Sequence, residues 1–232
     1  MKEYLSRIFA GTGEAFYKKA AEAMCKGEKA FIVTANPEIL MKAEADTEIR
    51  RILLSEDVTI VPDGVSVVKA MRKVNIPAVE RITGIDLLER LLIAAGEKGL
   101  SVYLLGAKEE VVFDLYKQES RKYPKATYHY HNGYEGNRDE VFEEIKAIQP
   151  DLIAVALGVP AQERLIAQHY VDFPKGTFIG VGGSFDTLSG HKRRAPKLFI
   201  RTNTEWLYRL TTEPSRMRRF YESNIKFLKH VK

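Results

Sequence analysis

The chain has 232 residues, of which 45% are hydrophobic and 29% charged, with a formal net charge of +5; this suits one large α/β domain with a small appendage. A single cysteine, Cys25, excludes an intrachain disulfide and fits a reducing cytoplasm. No run approaches the roughly 20 apolar residues that span a bilayer, and the opening MKEYLSRIFAGTGEAF has no continuous apolar core, so no signal peptide is expected.

The elements alternate along the chain. A helical pattern over Glu14–Lys26 precedes an apolar run at Ala30–Thr34 that reads as a buried strand. A helix over Pro37–Ala45 and a strand at Val58–Val61 follow, then helices over Val65–Val74 and Gly84–Lys98. Beyond them come a strand at Ser101–Leu105, a helix over Lys108–Tyr123, a weaker strand at Ala126–Tyr130 and a helix over Arg138–Ile148. A strand at Leu152–Leu157, a helix over Ala161–His169 and a strand at Thr177–Val181 complete the series. The strands are rich in β-branched residues and do not alternate strictly, as expected of parallel strands covered on both faces. The order predicts a Rossmann-like, mostly parallel sheet with helices on both faces and a site at the carboxyl ends of its strands.

The tail differs. Residues 191 to 232 carry twelve Lys/Arg against three Asp/Glu, whereas the rest carries 24 against 28. A near-neutral body thus bears a basic tail, which suggests an anionic partner: nucleic acid, a phospholipid surface or a phosphorylated substrate. Pro196–Leu210 reads as one helix, broken by Thr211–Ser215. The final stretch sets Met217, Phe220, Tyr221, Phe227, Leu228 and Val231 loosely against Arg216, Arg218, Arg219, Lys226 and Lys229. Such a helix lies in a membrane interface or docks on its own domain. The expected division is therefore residues 1–195 as catalytic domain and 196–232 as a basic helical appendage.

Polar residues collect at the strand ends. Thr34 and Asn36 follow the first strand, where they cap the next helix or hydrogen-bond sugar hydroxyls. Asp63 in PDG either caps a helix or serves as a general base. Arg81 sits where a cation would steady a diphosphate or tune Asp63, or is a surface arginine. Gly106 and Ala107 form a strand–Gly–helix turn suited to phosphate or nucleotide. Gly158 ends a strand and Gln162 opens the next helix facing the cleft. Gly182, Gly183 and Phe185 lie in a Gly-rich turn that permits close approach of a nucleotide, and Asp186 binds ribose or caps a helix. No GxGxxG or Walker motif is present, which counts against a dinucleotide oxidoreductase, a nucleotide-sugar epimerase and an ATPase. No metal-ligand spacing is found; His129 and His131, on one face of a strand, are the nearest approach.

TANPEIL, PDGVSVV, ERITGIDLLERLL, LLGA, PDLIAVALGVPAQE and GVGGSFDTLSG, followed by RRAPK and EWLYRL, stand in an order that resembles the WecG/TagA/CpsF glycosyltransferase family from about Lys29 to about Phe220. The family's opening strand with an LG turn is not found. The resemblance implies a cytoplasmic enzyme, peripherally associated with the inner face of the plasma membrane, with no cofactor and no metal. Its partners would be a UDP-sugar donor, an acceptor of undecaprenyl-diphosphate-linked N-acetylglucosamine and an anionic membrane surface; homo-oligomerisation gated by the tail is left open. TagA-type members transfer N-acetylmannosamine in a β-1,4 linkage for wall teichoic acid, WecG-type members the corresponding uronic acid for common antigen, and CpsF-type members act on capsule intermediates. The first is favoured, because a uronic acid donor calls for an additional cation that the sequence does not place.

Carried over by motif, Asp63 is the expected base, Thr34 and Asn36 touch sugar or acceptor, and Arg81 and Gln162 line the pocket. Arg209, Arg216 and Arg219 of the tail would reach the phosphates as the tail closes over the site. The rival expectation from charge alone, a nucleic-acid binder, lacks a helix-turn-helix or aromatic-on-sheet signature.

Overall fold

Among the residues described by the computed structural model, 1–202, 204–212 and 220–231, six strands form one all-parallel sheet. In chain order they are β1 Ala30–Ala35, β2 Val58–Pro62, β3 Ser101–Gly106, β4 Thr127–His131, β5 Leu152–Ala156 and β6 Thr177–Gly180. Their order across the sheet is β2-β1-β6-β5-β3-β4. Registers such as Thr34 against Val61, Val33 against Gly180 and Val155 against Gly180 align the carboxyl ends of β2, β1, β6 and β5 on one edge.

The helices are α1 Lys2–Arg7, α2 Gly13–Cys25, α3 Pro37–Ala45, α4 Thr47–Leu54, α5 Val65–Lys73, α6 Gly84–Lys98 and α7 Glu109–Lys122. They continue with α8 Arg138–Ile148, α9 Ala161–Tyr170, α10 Ser184–Leu188, α11 Lys197–Arg201 and α12 Glu205–Thr212. A π-helical turn, Tyr221–Ile225, runs into α13, Lys226–His230.

Each central strand feeds two cores. Phe31, Val33, Tyr103, Leu105, Ile153 and Val155 point to the layer that holds buried residues of α1, α3, α4, α5, α8 and α9. Ile32, Val102, Leu104, Leu152 and Ala154 point to the layer of α2, α6, α7 and α10. With both faces covered, no polar residue is required at alternate positions, which accounts for the continuous apolar runs.

Besides the short helix α10, which stands where the sequence reads as a Gly-rich turn, the structure departs from the sequence reading in three places. The segment between the second predicted helix and the second strand holds α4, where Asp46 Oδ1 accepts from Glu48 N and Ile49 N at 3.0 and 3.3 Å. Ile49, Ile52 and Leu53 of that short, charge-rich helix are buried. At the amino terminus, α1 is followed by a single parallel bridge, Ile8 to Ile60, with Phe9 N donating to Ile60 O at 2.8 Å. A one-residue pairing therefore occupies the outer edge of β2. Finally, Pro196–Leu210 is two helices. The Thr202 hydroxyl donates to Leu198 O at 2.8 Å and Thr204 N donates to Phe199 O at 2.8 Å, turns that compete with the helical ladder and end α11.

The end of the chain docks on the body. Phe227 is fully buried and Val231 nearly so, both within the α3–α5 layer. Ser66 Oγ donates to Asn224 Oδ1 at 3.0 Å, and Lys73 Nζ donates to Val231 O at 2.6 Å. Of the two readings open for this basic amphipathic stretch, packing on its own domain describes residues 220–231.

Candidate active site

A cleft of about 590 Å³ opens at the carboxyl ends of β2, β1, β6 and β5. Its walls include Thr34, Asn36, Asp63, Arg81, Gly158, Gln162, Gly182 and Gly183, which the sequence singles out, and also Glu38, Ser66, Lys69, Thr83 and Glu205. Trp206, Leu210, Phe220, Ile225 and Leu228 supply an apolar lip from the C-terminal segment.

Asp63 is set by the end of β2. Its amide donates to Ala35 O at 2.8 Å, which carries the β1–β2 ladder one residue past Pro62. Its Oδ2 lies 3.5 Å from Gly84 N, at the start of α6. Thr83 caps that 15-residue helix by accepting from Asp86 N at 3.2 Å. The carboxylate thus faces the positive end of a helix, a position that favours negative charge. At the N-cap of α5, Gly64 adopts φ 137°, a region L side chains rarely enter, and its carbonyl accepts from Val67 N and Val68 N at 3.2 Å. This is why Asp-Gly turns so sharply from strand to helix.

At β1, the Thr34 hydroxyl donates to Gly180 O at 3.3 Å, pinning β1 to β6. Asn36 caps α3 through Oδ1, which accepts from Ile39 N at 3.0 Å, and Pro37 occupies the first helical position. The cap uses only the carbonyl end of the amide. Thr34 and Asn36 therefore combine a structural bond with further hydrogen-bonding capacity on the cleft wall.

The glycine turns after β5 and β6 are joined by one side chain. Gln162, 2% exposed, accepts at Oε1 from Gly158 N at 3.1 Å and from Gly182 N at 2.9 Å, and its Nε2 donates to Glu163 Oε1 at 2.7 Å. A Cβ on Gly158 would meet nothing within 4 Å among the described residues, and the turn lines the cleft. Glu163 is also 2% exposed, and burial, assisted by the nearby Glu38 charge, pushes its carboxyl up to about 7 despite the Gln162 hydrogen bond.

Arg81 pairs with Glu205 at 2.9 Å, with side-chain exposures of 15% and 4%. This bond fixes the first residue of α12 to the cleft wall. Trp206 stacks on Phe220 with ring centroids 5.0 Å apart, drawing α12 and the start of the π-helical turn together. Further out, Arg194 pairs with Asp86 and Glu89 of α6, holding the RRAP loop against the helix that faces Asp63.

The remaining nucleotide-turn residues lie outside this cleft. Ala107 N donates to Ala156 O at 3.0 Å and its carbonyl accepts from Gly133 N at 2.8 Å, so the Gly106–Ala107 turn ties β3 to β5 and to the loop after β4. Phe185 is fully buried in the α2–α6–α7 layer. Asp186 pairs with Lys192 at 3.4 Å. Arg209's side chain, Arg216 and Arg219 are outside the described residues. His131 Nδ1 lies 2.7 Å from Asn132 O, and His129 stacks on Tyr103. Among the described residues no three His, Cys, Asp or Glu are grouped to hold a metal ion, and no helix is long and apolar enough to cross a membrane.

Sequence reasoning missed Glu163, Glu205 and Lys69. Lys69 follows Ser66 by one helical turn on α5, a spacing readable once Asp63 is placed at the cleft. Glu205 opens the EWLYRL motif, but its partner Arg81 is 124 residues away, so no local pattern pairs the two.

The description "Glycosyl transferase WecG/TagA/CpsF family" matches residues 5–232. Relatives named N-acetylglucosaminyldiphosphoundecaprenol N-acetyl-beta-D-mannosaminyltransferase include proteins of Bacillus spizizenii strain W23 and Bacillus subtilis strain 168, 41% and 40% identical over 191 residues. A protein of Staphylococcus aureus strain NCTC 8325 with the same name is 39% identical over 190 residues. Each alignment covers 82% of this chain and 74% of the relative.

Proposed function

The chain belongs to the glycosyl transferase WecG/TagA/CpsF family, and on that premise we propose that it moves N-acetylmannosamine from a UDP donor to the 4-hydroxyl of undecaprenyl-diphosphate-linked N-acetylglucosamine, the step that builds the wall teichoic acid linkage unit. The single observation that carries the residue roles is the position of Asp63: a carboxylate at the end of β2, on the wall of a cleft and facing the start of α6.

The reaction is one in-line displacement. The acceptor oxygen forms a bond to the anomeric carbon as the bond from that carbon to the UDP phosphate oxygen breaks, which inverts the centre. The hydroxyl proton passes to Asp63, and such general-base help is worth roughly 100- to 10,000-fold. Negative charge accumulates on the departing diphosphate. The Gly158 and Gly182–Gly183 turns allow its close approach, while cations drawn from Arg81, Lys69 and the tail arginines Arg209, Arg216 and Arg219 stabilise it. Thr34 and Asn36 hold sugar hydroxyls.

Residues 196–232 act as the closing appendage. The Arg81–Glu205 pair and the burial of Phe227 support this reading, since both bring the tail against the cleft. Leu198, Trp206, Leu207 and Leu228 remain exposed on a segment with a surplus of positive charge, which supports peripheral attachment to an anionic membrane where the lipid-linked acceptor resides. Closure excludes water and so limits hydrolysis of the donor.

Lys69 bears on the donor. The sequence places no additional cation for a uronic acid, but the structure puts Lys69 on the cleft wall. The choice of N-acetylmannosamine therefore rests on the relatives' names and not on a missing charge. UDP release from UDP-N-acetylmannosamine, measured in chelator with and without a short-chain lipid-diphosphate-N-acetylglucosamine, tests the proposal. Acceptor-dependent release is expected. Release from UDP-N-acetylmannosaminuronic acid alone would move the assignment to the uronic acid branch, and silence with every UDP-sugar would remove the transferase reading.

A further inference from the structure

Glu163 has no part in the reaction above, yet it is a carboxyl group buried directly behind the cleft. Its Oε1 accepts from Gln162 Nε2 at 2.7 Å, while its Oε2 is buried with no hydrogen-bond partner among the described residues. Leaving a carboxyl oxygen in that condition is costly, and a native protein that keeps one calls for a reason.

The reason lies in the neighbouring amide. A glutamine side chain is nearly symmetric in shape, and its two ends differ only in hydrogen-bonding sense. Gln162 Oε1 receives two backbone donors from different strands' turns, Gly158 N after β5 and Gly182 N after β6. With the amide turned over, an NH₂ group would face two N–H groups and both bonds would be lost. Turning is resisted further because the other end meets an acceptor, and Glu163 Oε1 is that acceptor. Space is also tight, since a Cβ on Gly180 would lie 2.6 Å from Gln162 Nε2.

We propose that Glu163 is a positioning residue, whose carboxyl fixes the Gln162 amide so that its Oε1 clamps the Gly158 and Gly182 turns into one rigid floor for the donor's diphosphate. The choice of ligand rests on the donor-binding reading given above; the clamp itself rests on the hydrogen bonds. The chain of action is carboxyl to amide to two peptide N–H groups, and Glu163 touches no substrate.

The test compares Glu163→Met, which keeps the length and removes the acceptor, with Glu163→Gln, which keeps an acceptor oxygen. In the full chain, amide exchange of Gly158 and Gly182 is followed by NMR, with Leu104 of β3 as internal reference, and UDP affinity by calorimetry. Glu163→Met is expected to speed exchange at both glycines and weaken UDP binding roughly tenfold, with Leu104 unchanged, while Glu163→Gln restores both to within about threefold of the parent. Gln162→Met should reproduce the Glu163→Met pattern, and the double variant should add little to it.

A folded Glu163→Met protein with parental glycine exchange and parental UDP affinity overturns the proposal. So does equal damage from Met and Gln accompanied by loss of protection at Leu104, which would mark Glu163 as a general packing residue. If Glu163→Met does not fold, Gln162→Met and Glu163→Gln decide the matter on the same readouts. Failure of the parent to bind UDP counts against the donor reading, and the exchange rates then still decide the clamp.

Discussion

Phe227→Ala separates the docking of the tail from the stability of the sheet. Phe227 is fully buried against the α3–α5 layer, and the other described ties of residues 220–231 include the half-buried Val231 carbonyl bond to Lys73, the Ser66–Asn224 bond, the nearly buried Val231 side chain and the Phe220 stack on Trp206. Truncating a buried phenylalanine costs about 3–5 kcal/mol, while each hydrogen bond contributes about 1 kcal/mol. The loss therefore exceeds both bonds together and shifts the docking equilibrium by roughly two to nearly four powers of ten. Hydrogen exchange by mass spectrometry reads this directly: a peptide spanning 220–231 should lose protection while β3 and β5 keep theirs. Transfer activity should fall with the tail's protection. Parallel loss of protection in the sheet would refute the reasoning, because the tail would then be part of the cooperative core. Unchanged protection at 220–231 would refute it from the other side.

Other expectations follow from the same contacts. Asp63→Ala should reduce turnover roughly 100- to 10,000-fold with a melting temperature within about 4 °C of the parent's, and near-parental kcat would remove its role as base. Glu205→Ala should strand the Arg81 guanidinium, 15% exposed in the parent, costing about 3 kcal/mol and loosening α12; parental exchange in 205–212 would contradict this. Glu163→Gln should alter the pH dependence of stability. A carboxyl raised from 4.5 to about 7 keeps its proton longer in the folded state, so parental stability falls as pH rises through that interval. The variant lacks this loss, and its advantage should grow from near zero at pH 4.5 to as much as about 3 kcal/mol at pH 8, roughly 6–12 °C in Tm. An advantage independent of pH would contradict the assignment.

The parallel sheet was legible because its strands are apolar on both faces: Phe31–Val33, Val102–Leu105 and Leu152–Val155 each feed two cores and so form uninterrupted runs. The positions of Thr34, Asn36 and Asp63 were legible for the same reason, as each directly follows such a run and all three line the cleft. By contrast, α4 is short and its periodicity is masked by charge; its start depends on the Asp46 cap, which the composition TEIRRILL does not advertise. The break between α11 and α12 arises from threonine hydroxyl and backbone turns, where sequence periodicity continues unbroken. Long-range pairs such as Arg81–Glu205 and Ser66–Asn224 leave no local pattern at all. Gly106 and Ala107 carry the strand–Gly–helix signature, yet their backbone groups are spent on Ala156 and Gly133, away from the cleft. A glycine turn marks close backbone approach, and here the approaching partner is another strand.

The most direct test of the central claim is product analysis with the parent protein and Asp63→Ala, using UDP-N-acetylmannosamine and a lipid-diphosphate-N-acetylglucosamine. The parent is predicted to form a β-1,4-linked disaccharide on the lipid, and Asp63→Ala to form it at least 100-fold more slowly. A product of retained configuration, or equal rates from both proteins, would contradict an in-line displacement driven by Asp63.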